Sequence, residues 1–129
     1  MSAQTPPKPT ASELSFLKML WQLGPATAKQ VHEALLAERP DLSYANVLRQ
    51  LQIMHGKGLL KRDESQRSHV YAALHKQADL QTNLLGDFID KAFAGSGKAL
   101  ILAALRGHVS QAERDEIQAL LSDDEVKHD

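Results

Sequence analysis

A chain of 129 residues, 43% hydrophobic and 24% charged, suits one small domain or a domain plus an appendage. It contains no cysteine, which excludes disulfides, thiolate metal sites and cysteine nucleophiles and suits a reducing compartment. The formal net charge of −1 hides an asymmetry: residues 1–75 hold nine Lys/Arg against six Asp/Glu (net +3), and residues 76–129 hold six against ten (net −4), as expected if only the front of the chain meets a polyanion.

Residues 1–9 contain three prolines and no periodicity, and read as a disordered tail. Thr10-Ala-Ser-Glu13 is a capping box that opens a helix running to Leu23, where Gly24-Pro25 ends it. Leu14, Phe16, Leu17, Leu20 and Trp21 are expected to pack inward, while Ser15, Lys18 and Gln22 form the wet stripe. The apolar neighbours of Trp21 mark it as a core anchor and not a ligand platform. A second capping box, Thr27-Ala-Lys-Gln30, opens a helix to about Ala37 with Ala28, Val31 and Leu35 facing in, and Arg39-Pro40-Asp41 terminates it.

Ser43 is the N-cap of a third helix, in which Tyr44, Val47, Leu48, Leu51 and Met54 recur at helical spacing as one apolar stripe. At about 100° per residue the opposite side carries Ala45, Asn46, Arg49, Gln50 and Ile53. That face is rich in amide and guanidinium groups, the side chains that hydrogen-bond base edges bidentately in a major groove. A plain amphipathic helix with a polar outer face is the alternative. The helix is expected to stop near His55, since Gly56 and Gly58 bracket Lys57 and glycine suits the left-handed C-terminal cap. Leu59–Arg62 and His69–Ala72 then read as two strands around the turn Asp63–Ser68. Lys61, Arg62 and Arg67 put three positive charges on or beside the hairpin tip, suited to flanking phosphates, although Asp63 and Glu64 dilute the signal.

The order is helix, helix, helix, hairpin with short connections. The fold expected is mainly α with a small β-hairpin: a winged helix-turn-helix over residues 10–75, whose last helix docks in a groove. From Lys76 the character changes. Leu80, Leu84, Leu85, Phe88, Ile89, Ala92 and Phe93 make a broad apolar face on a helix ending at Gly95-Ser96-Gly97. Residues 99–105, with Leu100, Ile101, Leu102 and Leu105, are apolar on every side, and Gly107 stops them; such a helix needs burial all round. A third capping box, Ser110-Gln-Ala-Glu113, opens a last helix carrying Ile117, Leu120 and Leu121. A partner chain contributing the same helices would supply the burial by two-fold symmetry, so residues 76–122 read as a helical dimerisation domain and 123–129 as an acidic, frayed tail. Folding of these helices back onto the first domain within one chain is the alternative.

The stretch from Thr10 to about Leu121 resembles the penicillinase-repressor family, the BlaI/MecI/CopY group of bacterial winged-helix repressors. The matching residues are Glu13 and Met19-Leu20-Trp21 in the first helix and Thr27-Ala28-Lys29-Gln30-Val31 opening the second. In the third they are Ser43, Asn46, Val47, Leu51 and Lys57-Gly58-Leu59-Leu60, followed by Arg67 and Val70-Tyr71 in the wing. The resemblance implies a homodimer that binds a palindromic operator and blocks transcription. Three departures stand out. Ile53 takes the place of a basic residue often found on the DNA side, and Gln66 that of the usual wing glycine. The Asn-Phe pair at which the best-known members are cleaved is absent from the corresponding helix, so a membrane sensor protease is a partner by resemblance only. The lack of cysteine excludes copper–thiolate control.

The expected function is a homodimeric, sequence-specific DNA-binding repressor. Asn46, Arg49 and Gln50, with Ala45 and Ile53, would read base edges. Ser43, Tyr44, Lys57, Lys61, Arg62 and Arg67 would hold phosphates, with Thr27 and Lys29 contributing from the second helix N-terminus. Leu84, Leu85, Phe88, Ile89, Phe93, Leu100, Ile101, Leu102, Leu105, Ile117, Leu120 and Leu121 would form the dimer face. A winged-helix module that pairs with protein and not DNA is the alternative of a different class; it would explain the weak basic excess and the outward Ile53. A ligand-sensing regulator is a third, without convergent polar groups to support it.

No Gly-rich phosphate loop, G-x-S-x-G elbow or H-E-x-x-H helix is present, and Asp87 and Asp90 read as a solvated pair, so no enzyme is expected. His55, His69 and His75 fall close together, but without a carboxylate or thiolate cluster a phosphate contact is the more economical reading than a metal site, and neither metal nor cofactor is expected. No run reaches the roughly 18 apolar residues of a membrane span and no signal peptide is evident, which reads as cytoplasmic.

Overall fold

A computed structural model describes residues 7–128, with side chains through Asp123. Residues 1–6 of the expected tail lie outside it, and 7–9 form no helix or strand. The chain divides into two units, Met1–Leu84 and Leu85–Asp129. The boundary falls inside a helix, later than the expected junction at Lys76.

The first unit opens with α1 (Ala11–Leu23), started by the full capping box: Thr10 Oγ1 accepts from the Glu13 N–H at 3.1 Å, and Glu13 Oε1 accepts from the Thr10 N–H at 2.9 Å. The same device starts α2 (Ala28–Leu35), where Thr27 and Gln30 exchange bonds of 3.2 and 2.8 Å. That helix ends two residues short of the expected Ala37, with 36–38 in a turn. Ser43 caps α3 (Tyr44–Gly56). At its end the Gly58 N–H reaches the His55 carbonyl and the Leu59 N–H the Met54 carbonyl. This two-bond stop needs a left-handed residue at Gly58, whose φ is +84°, and it sends the chain straight into the wing.

The wing is β2 (Leu60–Asp63) antiparallel to β3 (Val70–Ala73), with Leu60 opposite Ala73 and Arg62 opposite Tyr71. A short β1 (Ala26–Thr27) adds to the other side of β3, with Ala26 opposite Tyr71, giving the order β1-β3-β2. Two residues carry no alternation signal, so this edge strand was not legible beforehand; its pairing is set by the tertiary fold. The missing wing glycine is compensated locally. Asp63 Oδ1 accepts from the Ser65 N–H at 2.9 Å, an Asx turn, and among the described residues Ala94 is the one non-glycine with positive φ, so Gln66 needs no left-handed backbone.

Phe16, Leu17 and Leu20 of α1, Val31 and Leu35 of α2, Val47, Leu51 and Met54 of α3, Leu59, Leu60 and Tyr71 of the wing, and Leu80 form one buried core. Trp21 packs against it half-buried and donates from Nε1 to the His75 carbonyl at 3.1 Å. Tyr44 departs from the expected stripe: it is largely exposed and meets His32 edge-on.

The first half of α4 (Gln77–Ala92) belongs to this unit through Leu80 and Leu84, which pack on its core. Leu84 is therefore half-buried within its own unit instead of lying on a free dimer face.

The second unit holds the rest of α4, α5 (Gly97–Gly107) and α6 (Gln111–His128). Phe88 and Phe93 meet edge-on with centroids 5.8 Å apart. Ser96 caps α5, and Ser110 and Glu113 form the reciprocal box that opens α6. Arg114 donates to the Leu105 carbonyl at 2.6 Å, satisfying an end group of α5. No glycine or proline interrupts the chain after Gln111, so α6 continues through 123–128 where a frayed end was expected; Asp129 lies outside the described residues. No residue of α5 is buried: Ile101 is 57% exposed, and Leu120 of α6 66%.

Candidate nucleic-acid interface

The outward face of α3 follows from its cap and its core stripe. With Val47, Leu51 and Met54 turned into the core, the 3.6-residue period leaves Ala45, Asn46, Arg49 and Ile53 exposed on the other side, and Gln50 half-exposed at its edge. Ile53 is 42% exposed, an apolar side chain among polar neighbours.

Beside this face lies a cleft built by three elements. Thr27 and Lys29 come from the start of α2, Tyr44, Leu48 and Gln52 from α3, and Arg67, Ser68, His69 and Tyr71 from the wing. It thus brings together four of the expected phosphate residues, Thr27, Lys29, Tyr44 and Arg67. Lys29 and Arg67 supply fixed positive charge, and the hydroxyls supply donors. Thr27 and Ser43 accept the capping bonds of their helices at 3.2 and 3.1 Å, which leaves each hydroxyl hydrogen able to donate outward. Gln52, Ser68 and Tyr71 were absent from the expected set. Gln52 lies two turns beyond Tyr44, on the flank and not the centre of the polar face, so the face pattern alone passed over it.

Lys61 and Arg62 are not part of this cleft; they line a separate depression with Pro25, Asp63, Val70 and Ala72. Arg62 is also engaged, donating from Nε to Glu64 Oε2 at 2.7 Å. Hydrogen bonding to Arg62 and the charges of Arg62, His69 and His55 hold the Glu64 carboxyl below its usual value. The positive charge of the wing tip thus rests mainly on Lys61 and Arg67.

Lys57 is placed differently from its expected role. Its ammonium sits 2.8 Å from both oxygens of Glu13, a carboxylate of α1 that is only 3% exposed. Gln50 Nε2 donates to the same carboxylate at 3.4 Å. Burial pushes the Glu13 carboxyl up, but the hydrogen bond and charge of Lys57 together with the Thr10 N–H outweigh it and hold it below its usual value. Lys57 therefore ties the C-terminus of α3 to α1. An ammonium so committed is not a free phosphate anchor.

Among the described residues no group of three or more His, Cys, Asp or Glu is placed to hold a metal ion, and no helix is long and apolar enough to cross a membrane.

The chain is similar to known proteins. The family model described as penicillinase repressor matches residues 9–123. The transcriptional regulator BlaI of Mycobacterium tuberculosis is 32% identical over 117 residues, 90% of this chain and 84% of that protein. The methicillin resistance regulatory protein MecI of Staphylococcus aureus is 22% identical over 114 residues, 88% and 92% of the two chains. In fold, the chain is similar to hsRosR-S4, solved in a complex, with a TM-score of 0.54 at 15% identity over 94% of this chain and 93% of that one. The family is one of transcriptional regulators and not of enzymes. With its mainly helical winged fold and a match that spans nearly the whole chain, the protein belongs to the penicillinase repressor family and is a transcriptional repressor.

Proposed function

We propose that the protein represses as a homodimer occupying a palindromic operator in the cytoplasm, with α3 of each protomer in the major groove. The observation that carries this reading is the exposed Asn46–Arg49 face of α3 beside a cleft where Lys29 and Arg67 converge from two other elements. Arg49 and Asn46 are the base-reading groups, with Gln50 at the edge and Ala45 and Ile53 suited to apolar contact such as a thymine methyl. Thr27, Lys29, Ser43, Tyr44, Lys61 and Arg67 position the duplex through its phosphates. Pairing of the second unit's apolar faces would make the dimer, and a palindromic operator asks for two recognition helices about 34–36 Å apart, one turn of duplex.

The test separates reading from positioning. Arg49→Ala is expected to cost about 1–3 kcal/mol of operator binding and to relax preference at one base pair per half-site. Arg67→Ala is expected to weaken all sequences alike and to flatten the dependence of binding on salt. Titration of both variants against operator and unrelated duplex at two salt concentrations checks this. Two variants that bind as wild type would remove α3 and the wing from the interface.

A further inference from the structure

Gln50 differs from the other base-reading candidates in that another part of the protein already holds its side chain. Its Nε2 donates to Glu13 Oε2 at 3.4 Å. A carboxylate only accepts, so the NH2 end of the amide is the end turned to Glu13, and the carbonyl oxygen Oε1 is turned away. Glu13 itself has little freedom. It is 3% exposed, its Oε1 accepts from the Thr10 N–H at 2.9 Å, and Lys57 bridges both oxygens at 2.8 Å. Glu13 itself belongs to α1, which takes no part in the proposed interface.

We propose that Glu13 is a positioning residue for base readout: it fixes which way round Gln50 presents its amide to the groove. This rests on the reading of α3 as the groove helix. An untethered glutamine turns its amide over at little cost and meets either kind of base edge. With the NH2 end held by Glu13, Gln50 offers its oxygen as an acceptor. The matching bases are those with an amino group in the major groove, adenine at N6 or cytosine at N4. Guanine O6 and thymine O4 are acceptors and would face an acceptor. Gln50 thereby becomes a discriminator of amino from keto bases at one position per half-site.

The experiment uses the full chain and a set of operator duplexes carrying each base at the position where Gln50→Ala relaxes preference. Wild type is expected to bind the amino-base duplexes about tenfold or more tightly than the keto-base ones. Glu13→Gln, which can donate to Oε1 and let the amide turn, is expected to bring that ratio to within about threefold of unity while operator binding over unrelated DNA persists. Gln50→Asn is too short to reach Glu13, and as a change at a partly exposed position it keeps the test open if Glu13→Gln fails to fold. It is expected to lose the ratio as Gln50→Ala does, although it retains an amide. A folded Glu13→Gln or Gln50→Asn protein with the wild-type ratio would overturn the proposal and leave α3 as the groove helix. Wild type that binds no operator at all would instead overturn the groove reading, and the positioning role with it.

Discussion

The double substitution Ile101→Glu, Leu120→Glu is expected to leave the winged-helix unit folded, turn a dimer into a monomer and lower operator affinity by a factor of about 10²–10⁴. The argument begins with α5, an apolar helix none of whose residues is buried within one chain. Ile101 is 57% exposed and Leu120 66%, and Leu85, Phe88, Leu102, Ile117 and Leu121 are exposed as well. Ile89, Phe93, Leu100 and Leu105 are only half-buried. Burying one such side chain contributes about 1.5–3 kcal/mol. In a two-fold interface each residue counts twice, and a buried unpaired carboxylate is strongly unfavourable. The affinity loss follows because two linked half-site contacts become one. Sedimentation velocity gives the mass and anisotropy titration the affinity. A variant that stays dimeric with unchanged operator binding would show that this face pairs with something else.

Lys57→Ala is expected to destabilise the first unit by about 3 kcal/mol, and Glu13→Ala by clearly less. Removing the ammonium strands a nearly buried carboxylate, whereas removing the carboxylate leaves an ammonium that is 38% exposed and can be hydrated. That exposure puts the lysine change at the low end of the roughly 3–5 kcal/mol typical for breaking a buried pair. The pH dependence carries a definite sign. The folded Glu13 carboxyl lies below its ordinary value of 4.5, so its contribution is fully present above that pH and is lost as pH falls through the lower folded value. The stability gap between wild type and Lys57→Ala should therefore be widest near neutrality and shrink as pH falls, from the point where the stranded carboxyl of the variant, pushed up by burial without Lys57, takes its proton. Urea denaturation of both proteins at several pH values measures it. A constant gap would mean that Glu13 and Lys57 are not coupled.

Features that depend on neighbours three or four residues apart were legible in the sequence. The boxes at Thr10, Thr27 and Ser110 formed as expected, because a helix makes these contacts with itself, and the periodic stripes of α1 and α3 turned toward the core, Tyr44 excepted. The polar face of α3 was legible for the same reason. Contacts between distant segments were not. Glu13 and Lys57 lie 44 residues apart, and local rules had already given Glu13 to a cap and Lys57 to phosphate. Arg62 reads from the sequence as a phosphate contact because nothing in the spacing shows that the strand end turns it toward Glu64. Leu84 fitted the apolar stripe of α4, but the stripe does not show at which residue the helix passes from one unit to the next.

The most direct test of DNA recognition is an electrophoretic mobility shift with the purified full-length protein and DNA from upstream of its own gene. It is run at two salt concentrations with an unrelated duplex as competitor. A discrete complex that resists the competitor and weakens steeply with salt is the predicted result, since base contacts give the preference and phosphate contacts the salt slope. A folded dimer that shifts no upstream fragment, and is not retained on bulk DNA or heparin, would contradict it and point to a winged-helix module that recognises protein.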